Sequence, residues 1–206
     1  MVNNQLRILK EIIISPNKAF DEISNNGKKY FPLAFVILLI SAISDPIWSY
    51  LIDASNFFYY VEEPLDFEFV SVFYDIQIGF FLGVFSAAAI YEIGRRLGGQ
   101  GTFRGVFSCI CYSSLPIAII GSLISLSVII LISYFGNEVF TDDFGILGFS
   151  ILTVLLTVVF VGSLVWSIIL GIIALRKSHQ ISLGKTIGVF ILVLIITIII
   201  SLLIPS

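Results

Sequence analysis

Residues 94–105 read GRRLGGQGTFRG: five glycines and three arginines in twelve positions, with long apolar runs on both sides. Glycine-rich loops can cradle phosphates because their backbone amides approach the anion closely, and arginine adds charge. The spacing here fits neither common cradle. Counted from Gly94, a Walker-type loop needs Lys and then Ser or Thr after Gly99, where Gln100 and Gly101 stand. Counted from Gly99, the dinucleotide fingerprint needs glycine at position 104, which is Arg104. The loop reads instead as an interfacial hinge. Gly98, Gly99 and Gly101 let the chain turn back, while Arg95, Arg96 and Arg104 meet anionic headgroups.

The other residues able to do chemistry are few. Asp45-Pro46 lies inside an apolar run. A carboxylate at depth costs about 2.5–3.5 kcal/mol on insertion scales and should face protein or water. Pro46 frees the carbonyl of Ala42, so the pair is either an ion or proton site at a helix break or a polar clamp between helices. Asp75 and Glu92 are placed near the two ends of another run, and Glu92 has Arg95 and Arg96 on the same helix face. His179 is the sole histidine and is expected in a loop, without the partners that a nucleophile or metal site needs. Cys109 and Cys111, two apart, point away from each other on a helix and read as small apolar residues, with lipidation as the alternative. No zinc motif, serine-protease set or glycosidase-type carboxylate pair is present, so no catalytic residue, metal or cofactor is expected.

What must position these residues is set by composition. The chain is 58% hydrophobic and 12% charged, with a mean hydropathy of +1.06. Soluble domains carry about 25% charged residues, so the solvent implied is lipid. The expected fold is all-α: a polytopic integral membrane protein with five transmembrane helices and N-terminal amphipathic interfacial helices. The five runs are 31–52, 70–94, one within 102–135, one near 147–175, and 181–204. The third is too long for a single straight crossing. Pro116 cannot donate to the carbonyl of Tyr112 and offers the break. Residues 102–113 then form an interfacial or steeply tilted helix capped by Thr102. Residues 1–30 form a cytoplasmic amphipathic segment ahead of a membrane domain, 31–206. In it Leu6, Leu9, Ile12 and Ile13 make one apolar stripe, and Ala19, Phe20 and Ile23 a second after Ser15-Pro16. Both stripes are expected to lie on the membrane surface. These thirty residues carry too many charges for a signal peptide, so the first span is expected to act as its own insertion signal.

Charge placement predicts topology. The eleven Lys and Arg fall in 1–30, 94–105 and 176–185, whereas 53–69 and 136–146 hold only acids. The positive-inside rule then puts the N-terminus in the cytoplasm and the C-terminus outside. Gly79, Gly83 and Ala87 form a small-residue stripe that should admit a close helix from the same chain or from a second subunit.

Three stretches resemble the Ypt-interacting-protein (YIP) domain family: SPNKAF after the amphipathic start, LGGQGTFRGVFSCICYSSLPI, and WSIILGIIALRKSHQISLGKTIGVF. The family pattern is a helix with Pro and Phe near the N-terminus, a Gly-Gly loop, a Tyr-x-x-x-Pro-like turn (here Tyr112 to Pro116) and a late loop running from His179 to Ser182. The resemblance implies a role in membrane organisation. Eukaryotic members act in membrane traffic and bind Rab-type GTPases. The long polar N-terminal region common there does not precede SPNKAF, and SDPIW is at most a remnant of the Asp-Leu-Tyr-Gly-Pro motif, so the chain is expected to be a compact prokaryotic member of the plasma membrane. The function expected is a non-enzymatic membrane scaffold. Its partners are the lipid bilayer and membrane proteins or a second copy, not nucleic acid. The alternative is a small-solute or ion permease using Asp45.

Overall fold

In the computed structural model, which describes residues 2–57, 69–135 and 143–203, every described element is helical. The order is α1 (Val2–Ile14), α2 (Pro16–Asn25), α3 (Gly27–Phe57), α4 (Phe69–Arg96), α5 (Phe103–Ser113), α6 (Leu115–Phe135), α7 (Asp143–His179) and α8 (Leu183–Leu203). Four described helical stretches are long and apolar enough to cross a bilayer: Phe73–Arg96, Phe103–Ile124, Val154–His179 and Leu183–Ile200. Pro16–Asn25 and Gly27–Ile43, bent by 112°, are apolar enough only when taken together, so the described residues hold four such stretches, or up to five if this bent pair is one span. Large apolar side chains stand outward along these helices, among them Phe81, Leu126, Val158 and Ile198. An exposed apolar belt of that extent is stable against hydrocarbon rather than water. The chain is a polytopic integral membrane protein.

The breaks between helices have local causes. Pro16 opens α2 because its missing N–H would be unpaired there anyway. Ser15 sits at the cap position, but its carbonyl, not its hydroxyl, receives the Lys18 and Ala19 amides. Thr102 caps α5 as expected, its Oγ1 accepting from the Gly105 amide at 3.2 Å. The chain turns at Ser114, and Pro116 falls in the first turn of α6, where a proline costs nothing. α4 ends in a Schellman motif. Gly99 N–H donates to the Gly94 carbonyl at 2.9 Å and Gly98 N–H to Arg95 at 3.0 Å. Gly98, at φ +90°, holds the left-handed position that this closure requires.

Packing against protein covers the apolar faces of α1, α2 and α5. α5 is wedged among α2, α3, α4 and α7, and Val106, Phe107, Ser108, Cys109, Cys111 and Tyr112 are all buried. Gly105 and Ser108 are buried along with the apolar residues of α5, so protein covers more than its apolar side chains. The apolar faces of α1 and α2 likewise meet protein rather than lipid. Ile8, Ile12, Ala19, Phe20 and Ile23 are fully buried in the same core as Tyr30, Ala34, Phe107 and Tyr112. Ile13 and Ile14 remain exposed.

The stripe on α4 finds its partner inside the chain. A Cβ on Gly79 would lie 3.7 Å from Ala42 of α3, and one on Gly83 would run into Leu38. Ala87, one turn on, is buried. Small residues let two helix backbones approach, and here they are α3 and α4.

Candidate functional site

The three basic segments converge on one end of the bundle. Lys177 of α7 pairs with Asp21 of α2 at 2.8 Å. Lys185 of α8 donates to the Leu97 carbonyl at the end of α4, at 2.9 Å. The Gln100 amide donates to the His179 carbonyl at 3.1 Å. The segments 17–30, 94–105 and 176–185 are thus one structural unit, although residues 31–93 and 106–175 separate them in sequence.

His179 is the centre of that unit. It is the last residue of α7, fully buried, not the loop residue expected. The left-handed Gln180, at φ 57°, closes the helix behind it. The glycine loop wraps the imidazole. A Cβ on Gly94 would stand 2.5 Å from Nε2, and one on Gly99 2.5 Å from Nδ1. The Tyr91 ring faces the imidazole at 6.2 Å, tilted by 31°, and Phe103 packs edge-on against Tyr91. The imidazole makes no hydrogen bond of strict geometry among the described residues and has only the Ile90 backbone beside it as a polar partner. The loop that looks like a phosphate cradle is therefore occupied by a side chain of the same protein. Gly101 packs on the Ser178 carbonyl in the same way.

A second polar cluster locks α1 and α2 to α3. Arg7 reaches both oxygens of Glu22 at 2.7 Å and Glu11 at 2.8 Å. The Tyr30 hydroxyl donates to the same Glu22 carboxylate at 2.5 Å. The Tyr30 bond first, and then Arg7, hold the Glu22 carboxyl below its ordinary value. Glu22 in turn raises Arg7. The Tyr30 ring stands edge-on to Tyr112 at 6.2 Å. Tyr112 is fully buried, and its hydroxyl has no partner among the described residues. Sequence reading missed this cluster. Glu22 and Tyr30 lie on different helices across the α2–α3 bend, so no helical spacing relates them.

The remaining candidates are more dispersed. Glu92, half-buried, pairs with the exposed Arg96 at 3.1 Å and Arg95 at 3.8 Å. Such surface pairs contribute about 0.3–0.5 kcal/mol each. Pro116 is the second residue of α6, at the α5–α6 junction. Cys109 and Cys111 are both free and buried, and the Cys109 thiol points to the Phe20 carbonyl at 3.7 Å. That burial leaves no access for a lipidating enzyme. The backbone of α3 passes through Asp45 and Pro46, but their side chains lie outside the described residues, as do the acidic stretches 58–68 and 136–142. No group of three His, Cys, Asp or Glu able to hold a metal occurs among the described residues.

An all-helical bundle with an apolar belt, capped at one end by basic and glycine-rich segments, defines a polytopic membrane protein without a soluble domain among its described residues. The Yip1 domain family matches residues 10–204, nearly the whole chain, and the protein belongs to that family. No curated protein and no solved structure matches.

Proposed function

We propose that this protein is a non-enzymatic membrane scaffold that presents its basic end to membrane-protein partners or to the bilayer surface. The observation that carries this reading is the convergence of three distant basic segments, with α1 and α2 docked across them, into one ordered cap. Membership of the Yip1 domain family supports it. We place the protein in a prokaryotic plasma membrane, as a compact family member, with the cap and the N-terminus in the cytoplasm and the C-terminus outside. The charge asymmetry supports that orientation, and SDPIW in place of the fuller family motif supports the compact type.

The experiment is a flux assay in reconstituted liposomes, comparing the natural chain with Asp45→Asn, beside crosslinking pull-down from native membranes. A reproducible membrane partner and no carboxylate-dependent flux are expected. Flux that disappears in Asp45→Asn overturns the scaffold reading in favour of a permease.

A further inference from the structure

His179 joins three parts of the cap. Its carbonyl receives the Gln100 amide at 3.1 Å, and its ring fills the space that Gly94 and Gly99 leave open. Gly98, at φ +90°, and Gln180, at φ 57°, bend the two stretches of chain that meet there. Lys185 reaches across from α8 to the Leu97 carbonyl at 2.9 Å. The loop 97–101 is thus tied to the end of α7 and the start of α8, with one fully buried ring beneath it.

Only one protonation state of that ring suits the site. A neutral imidazole carries one N–H donor and one acceptor, and a charged one carries two donors. Among the described residues the Ile90 backbone is the single polar partner beside it. A charged ring would leave an N–H unpaired and its charge uncompensated, and a buried group pays heavily for both. The acids on the surrounding elements are already engaged. At the near end of α4, Glu92 is held by Arg95 and Arg96, while Tyr91 lays its ring beside the imidazole. On α2, Asp21 is held by Lys177 of α7 and Glu22 by Arg7. The remaining charged groups there are cations: Lys18 on α2, Arg104 on α5, Arg176 on α7 and Lys185 on α8. A proton on His179 would join like charges.

We propose that His179 is a proton-operated latch: its neutral ring closes the glycine loop over the end of α7, and its protonation releases the loop together with the Lys185 contact at the start of α8. The latch is independent of what the cap binds, since every contact it uses lies within the chain. In the open form the imidazole meets water and takes up a proton near the ordinary pH of about 6.5, whereas the closed form has no place for that proton. Closure is therefore favoured above about pH 6.5 and is lost below it, by up to about tenfold per pH unit for one proton.

The test is hydrogen exchange of the full chain in nanodiscs of a zwitterionic lipid, from pH 7 to pH 5, corrected for the intrinsic pH dependence of exchange. Protection of the Gln100 amide, and of Gly99 beside it, should fall about twentyfold over that range, while α3 and α5 keep theirs. His179→Gln cannot take up the proton, so protection at these two amides should be flat with pH, whatever its level. The chain has one histidine, so its imidazole resonance can be followed directly in the natural protein. The charged form should grow in step with loop opening. Constant protection of Gln100 and Gly99 in the natural chain, or the same fall in His179→Gln, overturns the latch. A parallel loss in α3 and α5 overturns it too, because the whole bundle is then unfolding. So does an imidazole that becomes charged while the loop stays closed.

Discussion

At the scale of single residues, His179 and its glycines make the sharpest test. All three atoms nearest a Cβ on Gly94 belong to the imidazole, whereas a Cβ on Gly99 also meets the Gly94 carbonyl at 2.8 Å. Overpacking of this kind costs about 1–3 kcal/mol. Gly94→Ala and Gly99→Ala should both lower the melting temperature in detergent. Removing the imidazole should then rescue one and not the other. In a double-mutant cycle His179→Ala should recover much of the Gly94→Ala loss, with a coupling of about 0.5–3 kcal/mol, and much less of the Gly99→Ala loss. Simple additivity at both positions would show that the loop does not close on His179. The loop's glycine content was plain in the sequence, as was its failure to match a nucleotide motif. Its real occupant was not, because contact between positions 94–99 and 179 is a product of tertiary packing that no local spacing reports.

The Glu22 carboxylate gives a residue-level pH dependence. Its folded value is depressed from the ordinary 4.5, with Tyr30 the first cause and Arg7 the next acting in that direction. A depressed carboxyl adds stability that is fully present above 4.5 and is lost as pH falls through the lower folded value. Hydrogen exchange in α1 and α2 should therefore be slow at neutral pH and quicken below about pH 4.5. Glu22→Gln should be faster throughout and lose that step. An unchanged pH profile in Glu22→Gln would assign the stability of the docked helices to other groups.

At the scale of elements, helical periodicity was a faithful guide to existence and a poor one to partner. The Thr102 cap, the α2 start at Pro16 and the break near Pro116 follow from local chemistry, and all three stand in the structure. An apolar stripe says that water is excluded, not whether lipid or protein excludes it. Hence the faces of α1 and α2 were legible while the packing of α1 on α2, and of α2 on α3, α5 and α7, was not. The same ambiguity attended the α4 stripe, and the structure resolves it toward α3 of the same chain. Gly83→Ile should accordingly destabilise the monomer by forcing Leu38 aside, by about 1–3 kcal/mol. Its oligomeric state, read by light scattering in detergent, should not change. A clean shift in oligomeric state at unaltered melting temperature would place the stripe at a subunit interface instead.

At the scale of the whole molecule, the proposed orientation joins charge to geometry. Three basic segments contact one another, so they must share one side of the membrane whichever side that is. The acidic stretches must then lie opposite if α3 and α4 each cross once. Impermeant thiol reagents can decide the remaining choice. The natural cysteines, Cys109 and Cys111, are buried and should give little background. Gln100 is exposed and engages its neighbours through its backbone amide alone, so Gln100→Cys keeps the contact with His179. In intact cells Ser55→Cys and Asn137→Cys should label from outside while Gln100→Cys stays protected. In inside-out vesicles the pattern should reverse. Labelling of Gln100→Cys from outside would invert the topology. Labelling of all three from one side would mean that α3 and α4 do not cross separately, and the five-span arrangement itself would fall.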